Sequence, residues 1–452
     1  MRRLLGSLVA LSLLLPASIA FASPPNASAP SWVKSATMYE VNVRQYSANS
    51  KLSSVTKDIP RLKKLGVKIL WLMPIYPIGQ ENRLGSLGSP YSIKDYKKVN
   101  PEFGTAADLK ALVKAAHAAG LHVILDWVAN HTSWDNAWLS SHPDWYTQVN
   151  GEIISPAGTG WNDVADLNFD NQEMRSAMIS AMKYWVTNFD VDGFRCDAAG
   201  MVPTDFWDEA TVELAKSKKL FMLAEDGSSY NLLEDAFHAN YNWSLMGRLK
   251  NLASGFSDPS QIETAVEQQS WMYPKGTYPL NFITNHDENS WNGTVQEFYG
   301  LAEDSMALLT YTLPGMPLMY NGQEVGLNKR LQFFEKDPIN WKAYGSKGVA
   351  KTLFYTRLNS VKFNNPALWA GSAGGSITFL ETDNQSVLAF ARTRGTNRVI
   401  TVINLDDSKQ VVNVSTTSGK LYKLGATKPT TIGTNLKLTL SGNGYALYST
   451  KP

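Results

Sequence analysis

A parallel (β/α)8 barrel, with an inserted loop domain after its third strand and an antiparallel β-sandwich at its C-terminal end, is the α/β fold this sequence predicts. Three observations predict it. From about Ala36, amphipathic helical stretches alternate with short apolar runs, the pattern of a wound α/β fold. Between His131 and about Asp170 that rhythm fails, in a stretch of turn residues and aromatics with no clean helix. From about Asn365 helical periodicity disappears, and runs such as "RVITVINL", "QVVNVS" and "LKLTL" alternate with Ser, Thr and Gly turns. The 452 residues allow a barrel of about 250 residues plus accessory domains.

Taken in order, the chain opens on Arg2 and Arg3, an apolar segment from Leu4 to Phe21, and Ala20-Phe21-Ala22 ahead of "SPPNASAPS". A charged end, a greasy middle and a small-residue cut site predict a secretory signal peptide over residues 1–22 and a secreted or periplasmic protein. The barrel is assigned to 32–131 and 170–364, the insertion to 132–169 and the sandwich to 365–452. "ATMYEVNVRQY" reads as the first strand. "SVTKDIPRLKKLG" places Val55, Ile59 and Leu62 on one helix face and stops at Gly66, and "VKILWLMPIYPI" follows as the second strand. Thr105-x-x-Asp108 starts a helix carrying Leu109, Leu112, Val113 and Ala116, closed by Gly120 before "LHVILD". Helices near 171–188 and 204–217 lead into "GFRCD" and "LFMLAED". With "EDAFHANYNW", "NFITNHD" and "MPLMYNGQE" the strands reach eight, the number that closes a barrel.

Composition excludes several classes. No stretch after the N-terminus is apolar for the roughly 20 residues of a membrane span. The formal charge of +2 falls to 0 once Arg2 and Arg3 are removed, which leaves no basic footprint for nucleic acid. A single cysteine, Cys196, excludes an internal disulfide. The six histidines show no HxH or HExxH spacing, which argues against a metal-dependent hydrolase.

Four apolar runs end in an acid: Asp126, Asp197, Glu225 and Asp287. Strand ends of a barrel converge on one mouth, so four carboxylates meet there, and repulsion forces one to be neutral or demands cations. Arg195 shares a strand face with Asp197, while Cys196 points the other way. His131 and His286 follow strand ends beside carboxylates. Two carboxyls of unequal pKa with aromatic platforms nearby are the equipment for cleaving glycosidic bonds. Five of the fourteen tryptophans (Trp127, Trp134, Trp138, Trp145 and Trp161) fall in or beside the insertion; most are expected to form its core, and one or two to face the cleft.

"DWVANH" (126–131), "GFRCDAAG" (193–200), "LAEDG" (223–227) and "FITNHDEN" (282–289), in that order, resemble the four signature segments of the α-amylase family of glycoside hydrolases. "VADLN" (164–168) is similar to the family's insertion segment. The resemblance implies Asp197 as nucleophile, Glu225 as general acid and base, and Asp287 as the acid that grips sugar hydroxyls. It implies Tyr91, His131, Arg195 and His286 as substrate-binding residues, with Arg195 keeping the nucleophile ionised, and Asp126 as a structural acid. It further implies a calcium ion on Asn130, Asp166 and the backbone of Met201.

One departure is visible. Where the family typically carries a Lys-His pair after the nucleophile, this chain has Gly200 and Met201. The expected protein is a monomeric, secreted, endo-acting hydrolase of α-1,4-glucans such as starch and maltooligosaccharides. An exo-acting α-glucosidase, maltogenic amylase or transglycosylase is the alternative. A non-catalytic sugar-binding subunit is disfavoured because all three acids are present.

Overall fold

The computed structural model describes residues 28–256 and 258–452. The expected signal peptide lies outside the described residues. Eight strands, labelled in chain order, form a closed parallel barrel: β1 Met38–Val41, β2 Ile69–Leu72, β3 His122–Val128, β4 Gly193–Asp197, β5 Phe221–Ala224, β6 Ala239–Tyr241, β7 Tyr278–Asn281 and β8 Met316–Tyr320. Alternation along each strand sorts the side chains. Ile69, Trp71, Ile124, Phe221, Leu223, Leu280 and Leu318 fill the barrel interior. Leu70, Leu125, Phe194, Cys196 and Met222 face outward into the larger core beneath the helices.

Local signals set the helix limits. Gly66 ends the helix Leu52–Leu65 at φ 94°, and Thr105 and Asp108 form a reciprocal capping box on Ala106–Ala119. On β4, Gly193 is required because a Cβ there would meet the Phe221 carbonyl oxygen at 1.9 Å on the neighbouring strand.

Two expected strands are corrected. The first reading ran through "ATMYEVNVRQY", but only Met38–Val41 is extended and Val43–Tyr46 turns into a short helix. The seventh was read in "NFITNHD", yet β7 is "YPLN"; Pro279, which lacks a ladder donor, disguises it. Phe282 and Ile283 are buried beyond the strand end, which is why they imitate one.

The insertion is tied at its base by His131–Ser133 pairing antiparallel with Val164–Asp166. Trp145 is buried there, whereas Trp127 belongs to β3 and packs outside the barrel against Tyr76, Tyr96 and Phe194.

After the helix Gly345–Asn364, two short turns lead into strands β9 Ser376–Phe379, β10 Val387–Arg394, β11 Asn397–Asn404, β12 Gln410–Ser415, β13 Gly419–Lys423, β14 Thr430–Ile432, β15 Asn435–Leu440 and β16 Tyr445–Ser449. Six form a sheet in the order β9-β10-β11-β16-β13-β14, and β12 pairs with β15 to cover one face. Leu388, Phe390, Val399, Ile403 and Leu447, on the other face, join the core of the barrel domain.

Candidate active site

Barrel register assembles the charged centre. Asp126 on β3 pairs with Arg195 on β4, and both point inward with Asp197. Arg195 is fully buried. Its Nη1 donates to Asp126 Oδ1 at 2.9 Å and to Asp197 Oδ1 at 3.0 Å, and its Nε donates to the Tyr241 hydroxyl at 3.1 Å. Its Nη2 lies 2.5 Å from Glu225 Oε1 as an ion pair, out of line for a good hydrogen bond. Trp71 and Tyr91 both donate to Asp126 Oδ2 at 3.1 Å.

A second chain of bonds runs from β1. Glu40, which sequence reasoning missed, accepts from His286 Nδ1 at 2.5 Å; His286 Nε2 meets the Tyr91 hydroxyl at 2.7 Å and Asp287 Oδ2 at 3.4 Å. Thus Glu40, His286, Tyr91, Asp126 and Arg195 form one connected network. Ala198, directly after Asp197, sits at φ 43°, a conformation disfavoured for alanine. That turn aims its N–H at Glu225 Oε2, 2.8 Å away.

The electrostatics follow from burial. Loss of solvent pushes Glu225 up to about 7, against the pull of Arg195, with Asp197 and Asp287 adding to the rise. Burial likewise raises Asp197 to about 6 and Asp126 to about 6, in each case opposed by Arg195. Arg195 pulls Asp197 toward the ionised form, in the expected direction, but the guanidinium only restrains an increase that desolvation dominates. Burial works against a charged His286, but Asp287 and Glu40 outweigh it and lift the ring to about 9. Burial lowers His131 to about 4, so it is neutral.

Tyr91, His131, Asp197, Glu225, His286 and Asp287 all line a single cleft of about 280 Å³. Residues not singled out from the sequence line it too: Asp163 from the insertion, and Trp291, Phe333 and Phe334 on the opposite wall. The Phe333 and Trp291 rings lie 5.0 Å apart, and Phe333 stacks on Tyr91. Arg44 and Gln45, after β1, fasten this wall by donating to the carbonyls of Gly88, Gln332 and Glu335. Of the insertion tryptophans, Trp161 faces the cleft.

The expected metal residues are less well gathered. The Asn130 amide nitrogen donates to Asp166 Oδ1 at 3.5 Å, and Met201 is exposed on the turn Ala199–Met201. Among the described residues no group of three or more His, Cys, Asp or Glu could hold a metal. Calcium takes six to eight oxygens, so an ion here would need the Asn130 amide turned and backbone carbonyls and water to complete its shell. A Cβ at Gly200 would lie 2.3 Å from Asp226 Oδ2, so a larger residue there requires that carboxylate to shift.

The family model for the α-amylase catalytic domain matches residues 38–155 and 158–375, and that for the maltogenic amylase C-terminal domain matches 377–447. α-Amylase MalA of Haloarcula japonica is 27% identical over 404 residues, 85% of this chain and 58% of MalA, so the chain spans less than two thirds of that relative. Among solved structures, maltogenic α-amylase AmyB of Thermotoga neapolitana superposes with TM-score 0.82 at 29% identity, covering 93% of this chain and 100% of AmyB. An α-amylase of Lactobacillus plantarum gives 0.80 at 31%, covering 92% and 99%.

Proposed function

The chain belongs to the α-amylase family of glycoside hydrolases, and we propose that it cleaves internal α-1,4 bonds of starch-like glucans with retention of configuration. The observation that carries this reading is the clamping of Asp197 and Glu225 on the single Arg195 guanidinium. That arrangement supports the short carboxyl separation of about 5–5.5 Å used for a covalent intermediate, over the wider gap that admits a water between them.

In this mechanism Glu225, protonated near neutral pH, gives its proton to the glycosidic oxygen as the C–O bond breaks. The ionised Asp197 carboxylate attacks the anomeric carbon and forms a glycosyl ester. The Glu225 carboxylate then takes a proton from water, whose oxygen attacks the same carbon and releases Asp197. Asp287 and the His286 imidazolium would hold hydroxyls of the reacting sugar, and neutral His131 would offer a further hydrogen bond. Tyr91 would stack beneath the ring.

A second reading, a maltogenic enzyme releasing short products, is favoured by the match of residues 377–447 to the maltogenic amylase C-terminal domain. Chromatography of products from starch, pullulan and maltotriose separates the two. Endo action gives an early ladder of oligomers, whereas maltose or glucose alone from the first minutes removes the endo reading. Secretion is proposed from the N-terminal residues alone, and N-terminal sequencing of exported protein beginning at Ser23 tests it. A structural calcium ion at Asn130 and Asp166 is proposed likewise: a lower melting temperature in chelator supports it, and coincident curves remove it.

A further inference from the structure

Asp163 carries a carboxylate for which the fold provides no outside partner. The residue lines the cleft and is only 5% exposed. Among the described residues its one bond is to its own backbone N–H, and burial raises its pKa accordingly. An uncompensated buried carboxylate is costly to keep. Its backbone, by contrast, is firmly placed. Ser92 Oγ donates to the Asp163 carbonyl at 3.1 Å, and Trp134 Nε1 donates to the Asn162 carbonyl at 2.9 Å. Two residues earlier, Trp161 is 38% exposed and stands edge-on to His131 with ring centroids 5.5 Å apart. A fixed segment thus presents an unsatisfied acceptor and an aromatic face together, in the cleft that holds Asp197, Glu225 and Asp287.

We propose that Asp163 and Trp161 form a sugar subsite beside the reacting position, the carboxylate accepting from adjacent hydroxyls of a neighbouring glucose unit while the indole packs on that unit's C–H face. The inference rests on the α-glucan reading and deepens it by naming residues that set affinity for the chain beyond the cleaved sugar. Hydroxyl donors suit the two acceptor oxygens, and a flat indole suits an apolar ring face. A metal cation is the poorer occupant, because no cluster of acids or histidines among the described residues accompanies Asp163.

The test is calorimetric titration of maltotetraose into the Glu225→Gln protein, alone and combined with Asp163→Ala, Asp163→Asn or Trp161→Ala. The subsite predicts affinity weakened about tenfold or more by Asp163→Ala and by Trp161→Ala, the loss of roughly one charge-assisted bond or one stacked face. It also predicts that Asp163→Asn melts no lower than its parent, because it removes a buried uncompensated charge. A purely structural residue would lose melting temperature and keep its affinity, and that result overturns the proposal. So does an affinity within twofold of the parent, or calcium titration showing an ion site lost in Asp163→Ala while sugar affinity stays. If Glu225→Gln itself binds no maltotetraose, the glucan reading falls and the subsite falls with it.

Discussion

Three carboxylates around one buried guanidinium leave an excess of negative charge, and the group around Arg195 relieves it by keeping a proton. Glu225, raised to about 7 by burial, is the acid placed to hold it, while Asp197, raised to about 6, ionises first. The sign of the pH dependence follows. Activity should rise as pH climbs through about 6, where Asp197 ionises, and fall above about 7, where Glu225 loses its proton. A bell-shaped kcat/KM profile with limbs near those values is expected, and a flat profile from pH 5 to 8 would contradict it. Glu225→Gln should lower turnover of starch at least 100-fold with melting little changed, because the amide keeps the volume and only proton transfer is lost. At this scale the sequence was informative wherever an acid closed a strand. Period-two alternation placed Arg195 with Asp197, and runs ending in Asp126 and Glu225 pointed to the mouth. Glu40 gave no such signal, since it lies inside β1 and meets His286, distant in sequence, only when the barrel closes and β8 alone separates β1 from β7.

The elements that carry these residues are held from below as well as above. At the opposite end of the barrel from the cleft, Asp192, just before β4, accepts from the Val123 N–H at 2.7 Å, from His117 Nε2 at 2.7 Å and from Lys218 Nζ at 2.9 Å. Burial alone would raise its pKa, but these bonds and His122 outweigh burial and drive it far below the usual carboxylate range. A depressed folded-state pKa means that the stabilisation is present above the unfolded value of about 4 and fades as pH falls below it. Asp192→Asn should therefore cost about 3–5 kcal/mol near pH 7, the usual cost of breaking a buried charge pair, and the gap in melting temperature from the parent should narrow below about pH 4. An equal gap at pH 7 and pH 3 would sink this account. Helices were legible because caps and apolar faces agree, as at Thr105 and Gly120. β7 was not, because Pro279 spoils the strand pattern while the buried loop after it copies one.

For the whole molecule, the barrel and the sandwich meet through a buried arginine that faces carbonyl oxygens. Arg392 on β10 donates to the Thr312 carbonyl at 3.0 Å, at the end of the helix Glu303–Thr312, and to the Gly375 carbonyl at 3.1 Å. Arg392→Ala strands those carbonyls and should destabilise the protein by about 1–3 kcal/mol, visible as a lower melting temperature; an unchanged melting curve would show that the junction does not depend on this clamp. The separate β domain was legible from its Ser, Thr and Gly turns. Its union with the barrel core was not, because Leu388, Phe390 and Leu447 look like ordinary strand residues until the second face finds its cover. The cleft wall of Trp291, Phe333 and Phe334 was equally hidden, being assembled from the single π-helical turn Glu288–Asn292 and a distant loop, neither with a period to read.

The chemistry claimed for Asp197 and Glu225 is a double displacement, and the anomeric form of the freshly released sugar reports it directly. Proton NMR of maltooligosaccharide hydrolysis in its first minutes, before mutarotation, should show the α anomer appearing first. Initial release of the β anomer would mean a single inverting step, and the roles given to both carboxyls would be wrong.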